Sequence, residues 1–160
     1  MKIIKLDTVV STNSFLKDLS VSSTLENFTV VVTQNQSKGR GQQNNEWLSE
    51  PHKNLTFSVF TTLKDVKITH KKYLNFAISL AIYKVFFDKN LPKISIKWPN
   101  DLMVANKKIC GILIENTFFG DQIKSTIVGI GLNVNQEKFP DALRNVTSLK
   151  LATLKETDLN

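Results

Sequence analysis

Apolar positions along the chain change period several times, and each change marks an element. Ile3 to Leu6 is a short strand candidate, and Phe28 to Thr33, FTVVVT, is β-branched enough to read as a buried strand. Between them Ser11-Thr12-Asn13 offers N-cap residues to a helix with Phe15, Leu16 and Leu19 on one face. Asn54 to Thr62 reads as a further strand. Thr69 is placed to cap a long helix, whose apolar stripe of Tyr73, Leu74, Ala77, Leu80, Ala81 and Val85 the spacing assigns to the core. Ile94, Ile96 and Trp98 then alternate with Ser95 and Lys97, the period of a half-buried strand. Pro99-Asn100-Asp101 interrupts with turn chemistry, Leu102-Met103-Val104 resumes, Asn106-Lys107 supplies a turn, and Ile109 to Ile114 returns. A Gly120-Asp121 turn separates strands ending near Phe119 and starting near Ile123.

Ile127 to Val134, IVGIGLNV, places Gly129 and Gly131 on one strand face, where missing side chains mean that a ligand, another backbone or a tight bend comes close. After Pro140 the pattern predicts a short helical segment over Asp141 to Asn145, then Thr147-Ser148 capping another around Leu149 to Leu154. Glu156-Thr157-Asp158 reads as the approach to a further helix, so the chain is expected to be truncated at its C-terminus. Hairpin-linked strands with one long helix between strand groups indicate an α+β fold with a largely antiparallel sheet packed with helices, in one domain over 1–160.

Composition narrows the class of molecule. At 160 residues, 41% hydrophobic and 22% charged, the chain is an ordinary globular domain able to bury a core. No apolar run reaches the ~20 residues of a membrane span, and the N-terminus lacks a signal-peptide core, so no membrane association is expected. Cys110 has no partner for an internal disulfide, which fits a reduced, cytoplasmic setting. His52 and His70 stand apart from any metal-ligand spacing. The net charge of +7 is scattered, compatible with a solvated basic surface, nucleic acid, an acidic partner or an anionic small molecule.

Candidate chemistry concentrates in two places. From Gln34 to Lys53 periodicity disappears, and a polar stretch that long is usually functional or disordered. Within it Gly39-Arg40-Gly41 lets backbone N–H groups and a guanidinium approach a phosphate, and Trp47 is an aromatic that needs something to pack against. The second place is Lys97 to Glu115, KWPNDLMVANKKICGILIE, which holds Lys97, Asn100, Asp101, Lys107 and Lys108 on strand ends among apolar residues.

These pieces, taken in order, resemble the catalytic domain of the biotin protein ligase (biotin–[acetyl-CoA-carboxylase] ligase) family. The resemblance rests on Ser11-Thr12-Asn13, Gln36 to Trp47 with Gly39-Arg40-Gly41, Lys97 to Asp101 (KWPND), Lys108 to Glu115, Gly129 to Asn133 (GIGLN) and Thr147-Ser148-Leu149. It implies the mixed sheet shared by class II aminoacyl-tRNA synthetases and biotin protein ligases. It also implies a two-step reaction: the biotin carboxylate attacks the α-phosphate of ATP to give biotinyl-5′-AMP, and a lysine of a biotin carboxyl carrier domain then takes the biotinyl group. By the same resemblance Lys108, Arg40, Lys97 and Asp101 are the catalytic candidates, with Asp101 also the candidate Mg²⁺ ligand. Biotin would be bound by Ser11, Thr12, Asn13, Gln36, Gly39, Arg40, Gly41, Gln42, Lys108, Gly111, Leu113, Gly129 and Gly131. ATP would be bound by Arg40, Trp47, Lys97, Asn100 and Asn133.

Strict alternation puts Lys108 and Leu113 on opposite faces, so both can face a ligand only with a bulge or a strong twist, expected at Gly111. The loop departs from the basic, glycine-rich pattern of the family: it reads Gln42-Gln43-Asn44-Asn45, with Asn44 expected to take the left-handed turn position, and His52 stands where glycine is frequent. No N-terminal winged helix is expected, so no DNA binding, and no C-terminal β-domain. A homodimer through an exposed sheet edge is compatible with the pattern. The competing functions are a lipoate or octanoyl transferase-like enzyme and a catalytically weakened module that holds biotin or a carrier domain.

Overall fold

The chain pairs its strands into one seven-stranded sheet in the order β1-β2-β3-β7-β6-β5-β4, in a computed structural model that describes residues 1–87, 91 and 93–159. The strands are β1 (Ile3–Val9), β2 (Thr29–Gln36), β3 (Asn54–Thr62), β4 (Ile94–Lys97), β5 (Asp101–Val104), β6 (Lys107–Phe119) and β7 (Gln122–Asn133). β1 and β2 are parallel and the other neighbouring pairs antiparallel, so the fold is α+β with a mixed, largely antiparallel sheet. A parallel pair needs a crossover, and α1 (Thr12–Ser22) supplies it. The other helices among the described residues are α2 (Lys71–Phe87) and α3 (Leu149–Thr153).

Two cores result, one on each face of the sheet. On the α1 face, fully buried Leu16 packs with Val31, Phe60 and Ile127, with Phe15 and Leu25 beside them. Burying one such leucine stabilises the fold by about 1.5–3 kcal/mol. On the other face Phe86 of α2 meets Leu102, Val104, Cys110, Ile112 and Val128, with Leu149 and Ala152 of α3 at the margin. The candidate site lies on the α1 face, over β6 and β7 beside the start of α1.

Several expected elements shift. β1 and β2 run longer than their apolar cores, β2 into the polar stretch as far as Gln36, because parallel pairing of Val9 with Gln36 holds it. Thr69 lies inside a short 3₁₀ turn, Ile68–His70, instead of capping α2. The stripe assigned to the core of α2 is largely on the outside: Tyr73 and Leu80 are each 57% exposed and Val85 61%, while Phe86 and Ser79 are buried. Phe76 stacks on Trp98 at 4.5 Å between ring centroids, and Trp98 itself lies beyond the end of β4. The β5–β6 turn is Ala105-Asn106, both at positive φ, instead of Asn106-Lys107. Residues 141 to 145 form turns and no helix, whereas Ser148 caps α3 as expected, its hydroxyl accepting from the Leu151 N–H at 3.2 Å.

Candidate functional site

Along β6, alternation carries Gly111 and Leu113 onto the α1 face, opposite Gly131 and Gly129 of β7. Lys108 joins them because the β5–β6 register slips: Leu102 pairs with Cys110 and Met103 with Lys108, which leaves Ile109 as the extra residue. The expected bulge therefore exists, but at the fully buried Ile109 instead of Gly111. An extra residue reverses the alternation, and this one turns the lysine onto the site face. Lys108 Nζ then lies 2.7 Å from Asp101 Oδ1 and 5.6 Å from the centroid of the Trp47 ring.

At the opposite end the Ser11-Thr12-Asn13 run does not cap α1 through a side chain. All three residues are buried and serve a polar network. The Thr12 N–H donates to Gln36 Oε1 at 2.8 Å, and Thr12 Oγ1 lies 3.2 Å from the same oxygen. Ser58 Oγ is 2.6 Å from Asn13 Oδ1, which can only accept, so Ser58 donates there; Thr12 Oγ1 at 2.7 Å can complete the chain. Asn13 Nδ2 donates to Glu115 Oε2 at 2.8 Å and to the Leu113 carbonyl at 3.3 Å.

The segment after β2 covers the cavity. The Trp47 N–H donates to the Gly39 carbonyl at 2.9 Å and the Gly41 N–H to the Asn45 carbonyl at 2.7 Å, clasping the loop on itself. Its left-handed residue is Gln43 (φ 53°) in place of the expected Asn44, and His52 is left-handed as well (φ 61°). Arg40 reaches from this loop to β6: its Nη2 is 2.9 Å from Glu115 Oε1 and its Nη1 3.3 Å from Glu115 Oε2.

Together these elements enclose a cavity of about 310 Å³. Ser11, Thr12, Asn13, Gln36, Arg40, Gly41, Gln42, Trp47, Lys97, Asn100, Asp101, Lys108, Gly111, Leu113, Gly129 and Gly131 all line it, every candidate but two. Gly39, within the loop, packs against its far limb, where an added Cβ would fall 2.2 Å from the Trp47 carbonyl oxygen. Asn133, two residues along β7 from Gly131, is 1% exposed and donates to the Thr147 carbonyl at 3.0 Å. Asn100 lines the wall but its amide is committed to β6, Nδ2 donating to the Ile112 carbonyl at 3.2 Å. A larger cavity of about 660 Å³, where Val32 and Leu55 meet Glu156 to Leu159, gathers none of the candidate residues.

The glycines make room for protein side chains. A Cβ on Gly131 would stand 2.3 Å from Trp47 Cε2, one on Gly111 3.0 Å from Trp47 Cζ3, and one on Gly129 2.3 Å from Asn13 Oδ1. The indole of Trp47 thus lies over Gly111 and Gly131, two glycines expected to bind biotin. Its Nε1 is buried with no partner among the described residues, which leaves a donor in the wall for a bound group.

Three cationic residues, Arg40, Lys97 and Lys108, line the cavity, and two of them already hold internal carboxylates. An anionic group entering here exchanges partners with Asp101 instead of meeting bare lysine. Cys110 faces the other core, where burial pushes its thiol up to about 12, out of reach of nucleophilic chemistry at neutral pH. The expected list omitted Ser58, Thr56 and Glu115. β3 puts Asn54, Thr56 and Ser58 on its buried face, and polar residues at every second position of a buried face are a readable signal.

The model of the Biotin/lipoate A/B protein ligase family matches residues 6–135. The bifunctional ligase/repressor BirA of Bacillus subtilis is 32% identical over 155 residues, 95% of this chain and 47% of the relative. The chain spans about half the length of the curated relatives it matches. The biotin protein ligase of Aquifex aeolicus in complex with biotin and ATP superposes with a TM-score of 0.74 at 32% identity, over 98% of this chain and 63% of that one. The biotin protein ligase of Leishmania major in complex with biotinyl-5-AMP gives 0.70 at 26% identity, over 93% and 63%.

Proposed function

Since the chain belongs to the biotin/lipoate A/B protein ligase family, we propose that it activates biotin with ATP as biotinyl-5′-AMP, releasing pyrophosphate, and passes the biotinyl group to a lysine of a biotin carboxyl carrier domain. The observation that carries this reading is the bulge at Ile109, which brings Lys108 into one cavity with the polar Thr12–Gln36 network and the cover loop.

Activation brings a carboxylate against a triphosphate, so like charges must be held together. Lys108, Lys97 and Arg40 line the one cavity, and in a covered site each would offset that repulsion more than it could in water. Lys108 is the residue for the biotin carboxylate and the α-phosphate oxygens, leaving Asp101 as it does so. Among the described residues no group of three His, Cys, Asp or Glu could hold a metal by itself. Magnesium would therefore arrive with the triphosphate, Asp101 supplying one carboxylate to it, and would offset phosphate charge. In the second step the carrier lysine attacks the biotinyl carbonyl, an amide forms and AMP leaves. The closed loop keeps water from the anhydride before the carrier docks.

Hydroxyls and amides at the inner end of the cavity, from Ser11, Thr12, Asn13 and Gln36, suit a ureido group better than the apolar dithiolane of a lipoyl substrate. The test is biotin-dependent ATP–pyrophosphate exchange, followed by mass analysis of a carrier domain incubated with the chain. Exchange with a mass gain of one biotinyl group supports the reading, and neither exchange nor biotin binding sinks it. Lys108→Ala is expected to abolish exchange while the far-UV spectrum stays unchanged; persistent exchange would remove Lys108 from its role.

A further inference from the structure

Glu115 lies outside the cavity wall yet holds three parts of the site together. It is the last residue of the KKICGILIE stretch, on the site face of β6, with its side chain only 24% exposed. One carboxylate oxygen meets Arg40 Nη2 at 2.9 Å; the other meets Arg40 Nη1 at 3.3 Å and accepts from Asn13 Nδ2 at 2.8 Å. Arg40 Nη1 also donates to Ser14 Oγ at 3.2 Å. The cover loop, the start of α1 and strand β6 therefore join at one side chain. Through Asn13 and Ser58 that junction continues to Thr12 and Gln36 at the polar end of the cavity.

We propose that Glu115 is a positioning residue, a clasp that orients the Arg40 guanidinium and holds the cover loop shut over the acyl-adenylate. The proposal rests on the ligase reading of the site. A two-pronged guanidinium–carboxylate pair fixes the plane of the arginine as well as its distance, which a lysine at the same place does not. Arg40 crosses from the loop to β6 in this way, and its own side chain is 45% exposed, so among the described residues only Ser14 Oγ shares with Glu115 the holding of its tip. Removing the charge of Glu115 frees the guanidinium, loosens the loop and opens the anhydride to water, while leaving Lys108 in place.

The test compares Glu115→Gln, Arg40→Lys and the double variant with the wild type. Glu115→Gln keeps an oxygen to accept from Asn13 but loses the charge, and Arg40→Lys keeps the charge but loses the fork. The first readout is the rate at which labelled biotinyl-AMP leaves the protein after rapid gel filtration. Each single variant is expected to release it on the order of tenfold faster, the double variant no faster than either, and Glu115→Asp to recover part of the retention. The second readout, independent of activity, is trypsin cleavage in the ligand-free loop at Lys38 and Arg40, expected to rise by a similar factor in Glu115→Gln. Wild-type retention and cleavage in Glu115→Gln overturn the proposal, as does additive loss in the double variant, which would place the action of Glu115 elsewhere. If Glu115→Gln does not fold, Arg40→Lys decides alone: unchanged release and cleavage refute the clasp. A wild-type chain that forms no adenylate overturns the ligase reading and this proposal together. A wild-type chain that retains adenylate as well as its Glu115→Gln variant overturns only the clasp.

Discussion

Gly131→Ala tests whether the floor glycines exist for the indole of Trp47. The new methyl would stand 2.3, 2.6 and 2.7 Å from Trp47 Cε2, Cζ2 and Nε1, against an ordinary carbon contact of about 3.5–4.0 Å. The ring must retreat by roughly 1 Å or more. Overpacking of that kind costs about 1–3 kcal/mol, less where the neighbour can move. Trp47 belongs to a cover loop held largely by its own backbone bonds, so the stability loss should fall near the lower end, about 1 kcal/mol. Gly129→Ala provides the contrast, because its neighbour Asn13 is fixed by Ser58, Leu113 and Glu115 and cannot yield. That substitution should cost about 3 kcal/mol or more.

Urea unfolding measures both costs, and emission of Trp47 in a Trp98→Phe background reports the position of the indole. Gly131→Ala should shift that emission to the red and lower biotin-dependent exchange by at least about tenfold, with little loss of stability. Wild-type emission together with wild-type exchange would refute the assignment. So would a Gly131→Ala stability loss as large as that of Gly129→Ala, since it would mean that the loop cannot give way.

What the sequence revealed of this fold follows from how local each signal is. β3 is readable to the residue as Asn54–Thr62, and the Gly120-Asp121 turn and the Ser148 cap are equally plain, because period and turn chemistry act over a few residues. The inward face of α2 is not readable, because apolar side chains surround that helix: Phe76, Leu80 and Val85 look outward as convincingly as Ile78, Ile82 and Phe86 look inward. Residues 141 to 145 are too few to nucleate a helix without tertiary support. In the site, alternation demanded a bulge or a strong twist between Lys108 and Leu113, yet that it is a bulge, and that it falls at Ile109, depends on β5, a separate strand. Gly129 and Gly131 announced a close approach without naming the visitor, since Asn13 and Trp47 are more than eighty residues away. Ser11-Thr12-Asn13 reads locally as a cap, and only Gln36 and Ser58, brought in by β2 and β3, turn it into a wall of the cavity.

Two further measurements probe the ends of this network. Ser58→Ala leaves the buried Asn13 Oδ1 without its donor, which should cost about 1–3 kcal/mol in urea unfolding and weaken biotin binding more than ATP binding; equal weakening of both would argue against a polar end specific for biotin. Cys110 should resist iodoacetamide at pH 8 in the native protein and react fully once unfolded, because burial holds its thiol protonated. The sign with pH follows from the same burial. The folded thiol titrates at about 12 and the exposed one at 9.0, so the folded state keeps its proton while the unfolded state loses it between those values. The contribution of the thiol to stability is fully present below pH 9.0 and is lost progressively as pH rises toward about 12. Cys110→Ala should remove that slope, with Lys and Tyr titrations common to both proteins. An unchanged difference between the two across pH 9 to 11 would mean that the thiol is not held in the dry core beneath Lys108.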